Sequence, residues 1–491
     1  MVQGLEIVHQ CIYPLANNQC HSSIYKYQQV RNYLRRHVAT PATAWSAAVP
    51  SIGHFDVVVV GSGSAGSTAA IAASRQGARV LLIEKLPFLG GNSTAVLDTF
   101  YGFYSPGSRP FRVVDSIPGE VVEKLRTLGP VIERPNTYGA GTGVTYNADH
   151  LKVAWEDLVT SAGTRVLLHS FVQEVKVSDG RVTGLLLATK AGLRQVSATT
   201  FVDASGDGDL SHFAGFGYEV AGEISPAQTL TTTFRMINVD HAARKKLTKE
   251  DLRELMLAAS AEGYLLPRTD GSDHITPIEG MTATVMTRLD SATRDADGTL
   301  QTVLDPENLT KAEMAGRRQV LEYARFLTDK VAGYENSSLV GLSTQIGLRE
   351  TRRIYGDYRV TREDVLGANQ FDDQIALCAA PIEDHHSGDG TAWAYLPEGS
   401  AAGIPLRSLI VRDAQNVMVA GRCFSATHDA QASIRSMAQT MAMGQAAGTA
   451  AAMAAAAAGG LVRDVPATAI RETLRAAGAI LEVQLQPQSA R

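Results

Sequence analysis

A four-residue apolar run, Val57–Val60, gives way to Gly61 and then to small residues through Ala73, before a second run at Val80–Ile83. Short apolar runs bounded by glycine read as buried strands, and the small-residue stretch between them reads as a helix. Asn147 caps a predicted helix in "NADHLKVAWEDLVTSAG", which closes at Gly163. Residues 164–206 then alternate apolar runs with "SDGR" and "KAG" turns, as a meander of strands does. From Phe216 to Pro405 the pattern changes. A strand is expected in "AQTLTTTFRMINV", a helix over "KAEMAGRRQVLEYARFLTD" opening with Thr310 and Glu313 in capping-box spacing, and a short helix capped by Thr361 and Asp364. "NVMVAG" returns to a buried strand. "ASIRSMAQTMAMGQAAGTAAAMAAAAAGG" predicts one long helix whose alanine-rich end packs closely on a neighbour and stops at Gly459, and "PATAIRETLRAAGAIL" predicts a last amphipathic helix.

Strands alternating with helices around a dissimilar middle predict an α/β fold. The expected division is an extension over 1–54, a doubly wound nucleotide domain from 55–215 and 406–491, and an inserted α+β substrate domain over 216–405.

Composition narrows the partners. With 45% hydrophobic and 19% charged residues and a net charge of -5, the chain has no basic footprint for nucleic acid or anionic membrane. It has no run of eighteen apolar residues to span a bilayer. The arginine pair in "YLRRHVATPATAWSAAV" precedes a short, proline-broken run that is read as no export signal. Cys11, Cys20, Cys378 and Cys423 form no C-x-x-C pair, so free thiols and a cytoplasmic location are expected. Cys378 and Cys423 read as buried small residues. Scattered histidines without H-x-x-x-H spacing give no expectation of a metal.

Gly61, Gly63 and Gly66 form G-x-G-x-x-G between the first strand and its helix. That context lets the backbone approach a pyrophosphate while the helix N-terminus faces it. Glu84, ending the next strand, is placed to accept both ribose hydroxyls, which disfavours a 2′-phosphate. Three further stretches, "EKLPFLGGNST", "TFVDASGDGDL" and "NVMVAGRCFSATHDA", offer backbone approaches far apart in sequence. Such spread suits the extended FAD better than NAD. "YGAGTGVTY" lacks the strand and acid of a second nucleotide site.

Over about residues 55 to 485 the chain resembles the FAD-dependent oxidoreductases of the fumarate reductase and succinate dehydrogenase flavoprotein superfamily. The resemblance rests on the glycine motif, "GLRETRRIYGDYRVTREDV", "IPLRSLI" and "AGRCFSATHDA…SIRSMAQTMAMGQAAG". It implies a glutathione-reductase-like Rossmann domain holding FAD through Gly61, Ser62, Gly63, Ser64, Ala65, Gly66 and Ser67, then Glu84 and Lys85. It adds Gly90, Gly91, Asn92 and Ser93, with Val172, and Ala204, Ser205 and Gly206. Gly421 and Arg422 complete the nucleotide side. Ser433 and Ile434 begin the stretch to Met437 that faces the pyrimidine edge of the flavin. The "GGNSTA" segment carries no histidine, so the flavin is expected to be noncovalent.

Proton movers near a flavin are sought among His, Lys, Tyr and tuned carboxylates. His386, and next to it His385, lie in "IEDHHSGDGT"; His428 lies between the last nucleotide strand and the flavin-facing helix. Arg349 and Arg352, in an arginine-rich stretch, are candidates to clamp a substrate carboxylate or the flavin edge, and Arg435 to reach cofactor or substrate. Other arginines of that stretch are expected to pair with Glu350 and Asp357. The function expected is dehydrogenation of an organic small molecule by hydride transfer to flavin N5. Oxygen or an unidentified acceptor takes the electrons, and self-association into a homo-oligomer is left open. The alternatives are a reductase of an activated C=C bond, with Arg349 or Arg435 as proton donor, and a flavin-binding protein without turnover.

Overall fold

The computed structural model describes residues 49–134, 139–386, 390–457 and 459–483. Cys11, Cys20 and the arginine pair near residue 35 lie outside them.

The nucleotide half begins with β1 (Ser51–Val60), α1 (Ser64–Arg75) and β2 (Val80–Ile83). It continues with α2 (Ala148–Ser161), β3 (Arg165–Leu167), β4 (Phe171–Ser178), β5 (Arg181–Thr189) and β6 (Gly192–Asp203). The middle of the chain contributes β7 (Phe234–Ile237), β8 (Ser272–Ile275), β9 (Thr282–Val285), α3 (Pro306–Lys330) and β10 (Ser338–Leu342). It ends with α4 (Arg362–Leu366) and β11 (Ile382–Asp384). The chain then returns through β12 (Val417–Val419), α5 (His428–Ile434) and α6 (Met437–Ala457).

The main sheet runs β3-β2-β1-β6, with β12 beside the end of β6, all parallel. The hairpin β4–β5 pairs antiparallel with the start of β6. This is the mixed α/β, Rossmann-type architecture. Register puts Val60 opposite both Ile83 and Asp203, and Val419 opposite Asp203, so the strands end along one line. Parallel strands covered on both faces must be apolar throughout. Val57, Val58 and Val59 are fully buried, each contributing roughly 1.5–3 kcal/mol.

The alanine-rich helix behaves as its composition predicts. A Cβ on Gly444 would lie 2.0 Å from the Ala65 carbonyl oxygen, so α6 and α1 pack backbone to backbone. Ala450, Ala451, Ala452 and Ala454 are buried.

A second core lies in the middle of the chain. β7–β10 form one sheet in the order β8-β9-β7-β10, and Val320, Tyr323 and Phe326 of α3 share the core with Phe234 and Met236. Ile354, Ile375 and Ile404 instead pack in the nucleotide core. The last third of the expected substrate domain thus shares its apolar interior with the sheet.

The Asn147 cap and the Thr361–Asp364 capping box are present, and Cys378 and Cys423 are fully buried. Three element limits differ. β1 starts at Ser51, inside the expected extension. The long middle helix starts at Pro306, four residues before Thr310, because Asp305 accepts the N–H groups of Glu307 and Asn308 and Pro306 needs no partner. Thr310 bonds back to the Pro306 carbonyl from within the helix. The last long helix is broken at Arg435–Ser436, where the Ala438 N–H turns to the Tyr101 carbonyl.

Candidate functional site

Ligands of open α/β sheets bind beyond the carboxyl ends of the strands, and here those ends carry the glycine turn. Gly61, with φ +90°, takes a conformation that suits glycine. Gly63 hydrogen-bridges in parallel with Gly90, and the Gly90 N–H donates to the Ser62 carbonyl at 2.8 Å. A Cβ on Gly91 would lie 2.9 Å from the Gly63 Cα, whereas a Cβ on Gly63 would meet nothing within 4 Å. The turn is therefore packed on one side and open on the other. α1, which starts with Ser64 and Ala65, has neither a side-chain cap nor an acid in its first turn. Its leading N–H groups and dipole remain for an anion. An uncapped helix beside an open glycine turn fits a pyrophosphate. Gly66 serves the packed side, its Cβ position 1.8 Å from the Gly61 carbonyl oxygen, and Ser67 Oγ donates to the Ser62 carbonyl.

Glu84 is buried and accepts from the Ser62 N–H at 2.8 Å, the Ser62 hydroxyl at 2.7 Å and the Leu86 N–H at 2.8 Å. A carboxylate has about four acceptor positions, so one remains for a ribose hydroxyl. Val172 stands two residues after Ser170, whose N–H donates to the Glu84 carbonyl.

Beyond β6, Ala204 donates its N–H to the Val60 carbonyl, and Ser205 is tied to Asp203. Gly206 lies against the Arg422 guanidinium. Arg422 pairs with Asp207 at 2.5 Å, and Lys85 reaches the same carboxylate at 3.7 Å. Burial opposes the charge on Asp207, but Arg422 and Lys85 hold it at about 2. Burial and the Asp207 charge raise Asp209 to about 6. Gly421 approaches Ala65, its Cβ position 3.2 Å from the alanine methyl.

On the expected ring side, Asn92 Nδ2 donates to the Leu348 carbonyl at 3.1 Å, and Ser93 Oγ to the Gly90 carbonyl. Ser433 Oγ is committed to the Ala380 carbonyl at 2.6 Å, and Ile434 is fully buried. The α5–α6 break follows immediately.

The histidines fall on a network of acids. His428 opens α5, 5% exposed. Its Nδ1 lies 2.9 Å from Glu350 Oε2, and its Nε2 3.2 Å from Asp384 Oδ1 and 3.3 Å from Gln228 Nε2. His386 Nδ1 lies 2.7 Å from Asp384 Oδ2, with its side chain 41% exposed. His385 points the other way, Nε2 2.9 Å from Glu383 Oε1. Burial and then Arg349 push His385 down to about 4, so it is neutral at pH 7. Burial opposes the charges on Glu383 and Asp384, but the first is held at about 2 by His385 and Arg435, the second at about 2 by His428 and His386. Asp384, His428 and Asp429 each bring one ligand atom within 4.8 Å of the others, but Asp384 is already bonded to His386 and Asp429 to Arg362.

The arginines separate. Arg349 Nη1 donates to the Thr229 carbonyl and the Thr231 hydroxyl, both at 2.8 Å. Burial, then Arg435 and Arg268, push it down to about 9. Arg435 Nη2 donates to the Glu383 carbonyl at 3.1 Å. Arg352 instead pairs with Asp209 at 3.0 Å and lies over the Tyr218 ring. The structure thus groups Arg349 and Arg435 with His385, and His428 with His386, while Arg352 stands by the Asp207–Asp209 segment. Arg353 bridges Glu350 and Glu219, and Arg359 joins Glu219. Glu350, Asp384, Glu383 and Gln228 were not singled out as site residues. Alternation in "IEDHH" carries the signal for two of them, since period two pairs Glu383 with His385 and Asp384 with His386.

The profile of a family described as FAD dependent oxidoreductase matches residues 56–474. The chain is 25% identical over 230 residues to a digeranylgeranylglycerophospholipid reductase of Thermoplasma volcanium, covering 45% of this chain and 55% of that one. It is 43% identical over 72 residues to a fumarate reductase (cytochrome) of Shewanella frigidimarina, 14% of this chain and 13% of that one. The chain thus spans about half the length of the first relative and a small part of the second. A geranylgeranyl bacteriochlorophyll reductase-like structure from Thermoplasma acidophilum aligns with a TM-score of 0.41 at 14% identity, covering 88% of this chain and 94% of that one. Among the described residues no helix is long and apolar enough to cross a membrane.

Proposed function

The chain belongs to the FAD-dependent oxidoreductase family, and from that premise we propose that this enzyme dehydrogenates a small organic molecule in a two-electron step. The glycine turn, the head of α1, Glu84 and the segments at Gly90 and Ala204 hold the FAD, and residues 216–405 hold the substrate. Bound FAD supplies a hydride-accepting centre at N5. The chain's own work is to orient the substrate and carry away its hydroxyl or amine proton.

One observation carries this reading: a buried imidazole at the head of α5, His428, with a carboxylate on each nitrogen. Glu350 on Nδ1 fixes the tautomer that leaves Nε2 as acceptor, with Gln228 donating to it. Once Nε2 takes the substrate proton, Asp384 Oδ1 accepts its hydrogen bond and stabilises the imidazolium. The other Asp384 oxygen is bonded to the half-exposed His386, which passes the proton to water. The electrons then go to oxygen or another acceptor.

The reverse reading, reduction of an activated C=C bond, has Arg349 or Arg435 as proton donor. The depressed Arg349 supports it, and the 72-residue match favours a place near the fumarate reductase flavoproteins. Anaerobic mixing separates the two. Dehydrogenation predicts that an alcohol or amine bleaches the oxidised flavin; reduction predicts that an enone reoxidises the reduced one. If no alcohol or amine bleaches the flavin while an enone reoxidises it, dehydrogenation is wrong.

A further inference from the structure

We infer that Arg353 and Glu219 are positioning residues for His428: acting through Glu350, they keep the proton of the neutral imidazole on Nδ1 and set how readily Nε2 takes another. The inference rests on the proposed reaction only in taking His428 as its base.

These groups form a buried chain of alternating charge. The short strand Tyr218–Val220 pairs antiparallel with Arg352–Ile354 and sets Glu219 directly opposite Arg353. Opposite residues of such a pair share a face. Arg353 reaches Glu219 with one terminal nitrogen and Glu350, three residues back, with the other. The side chains of Arg353 and Glu219 are 2% exposed, and that of Glu350 is fully buried. Arg359 pairs with the second oxygen of Glu219 and is partly exposed. Its Nε donates to the Ala426 carbonyl at 3.2 Å, two residues before His428. From the base to the surface the order is His428, Glu350, Arg353, Glu219, Arg359.

Glu350 is where the chain acts. Its oxygens take the Arg353 guanidinium, the Gln228 backbone N–H at 3.2 Å and His428 Nδ1 at 2.9 Å. The guanidinium and the amide only donate, and the guanidinium keeps its charge. With both in place Glu350 stays a carboxylate and accepts, so Nδ1 brings the proton and Nε2 is left bare. Burial favours the neutral form of a carboxyl, so without Arg353 the Glu350–His428 pair takes up its next proton more readily. Glu219 works in the opposite sense, because it takes a share of the guanidinium charge and leaves Glu350 the more negative. Stability alone does not call for such a chain, since a buried ion pair is often matched by apolar side chains of similar volume.

The remaining charged groups around His428 belong to other contacts. Asp384 stands at the opposite nitrogen, with His386 on its second oxygen and the Arg435 charge acting on it. Asp429, in the same turn of α5, pairs with Arg362. Changes beyond Glu350 leave all of these in place, so an effect whose sign alternates along the chain reports the chain itself.

The test is a pH titration, by nuclear magnetic resonance, of the FAD-loaded enzyme carrying ring-¹⁵N histidine, the His428 signals being those lost in H428Q. R353Q removes a positive charge and should move the midpoint to higher pH by about one unit, the scale of a charge acting through the protein interior. E219Q removes a negative charge farther off and should move it to lower pH by about half as much. R359Q should move it up by less than R353Q, and R353K should restore the parent value in part. R325Q, an exposed arginine of α3, should change nothing. Should R353Q fail to fold, E219Q and R359Q must still move the midpoint in opposite directions. A midpoint that moves the same way in the arginine and the glutamate variants, or moves in none of them, overturns the inference, whatever happens to the melting temperature. The reaction is judged apart from it. Opposite shifts without bleaching by any alcohol or amine sink only the dehydrogenation; bleaching with an unmoved midpoint sinks only the positioning.

Discussion

Replacing Gly63 by alanine separates the cost to the fold from the cost to the cofactor. In the protein alone the added methyl meets nothing within 4 Å, and Gly63 has φ -58°, which alanine adopts freely. Alanine is a poorer N-cap than glycine but restricts the unfolded chain; these oppose each other, so stability should stay within about 1 kcal/mol of the parent. The same methyl would stand in the space the pyrophosphate needs beside the N–H groups of α1. Losing one or two charge-assisted hydrogen bonds, at about 1.5–3 kcal/mol each, weakens FAD binding about a hundredfold. Gly66→Ala is the contrast, because its methyl would lie 1.8 Å from the Gly61 carbonyl oxygen and the turn itself must move. The assay is thermal melting of the apoprotein and titration of flavin fluorescence quenching for both variants. Gly63→Ala binding FAD as tightly as the parent, or melting far below it, refutes the reasoning.

Other outcomes follow from the same geometry. H428Q should slow anaerobic flavin bleaching about 10²–10⁴-fold, the usual weight of a general base, at unchanged flavin content by absorbance. D384N should slow it less and displace the pH profile of the bleaching rate, since it removes the acceptor that His428 and His386 share. His385 has a folded pKa of about 4, lowered by burial and Arg349 from an ordinary 6.5. The unfolded chain then binds more protons between those values, so stability falls as pH drops from about 6.5 to about 4, by about 3 kcal/mol. Urea titrations across that window should show this decline, and H385Q should flatten it. Asp98 is buried, 2.8 Å from His274 and 3.7 Å from Arg235. D98N should cost about 3 kcal/mol in urea unfolding by stranding that arginine.

The strand, glycine turn and helix proposed to hold the nucleotide were largely legible in the sequence because their demands are local. A glycine turn needs glycine at fixed spacing, and strand, turn and helix follow within twenty residues. The Asn147 cap and the Thr361–Asp364 box were readable for the same reason. The start of α3 behind its Asp305 cap was not, because Thr310 and Glu313 also carry capping-box spacing and the Asp-Pro start lies outside the apolar period. The break before α6 follows from a tertiary bond, Ala438 to Tyr101, that no local pattern encodes. The proposed reaction site was legible only in fragments. His428 and Arg349 stand in recognisable segments, but Gln228 reaches His428 only through the tertiary fold, from 200 residues away. Arg352 shares its segment with Arg349, yet is drawn away by Asp209.

The most direct measurement is the position of the flavin ring in the FAD-loaded enzyme at atomic resolution. The ring should lie at the α5–α6 break with Asn92 beside it, its N5 edge opening toward His428 and Arg349. A ring lying elsewhere, or an N5 edge walled off from both residues, would contradict the proposed chemistry.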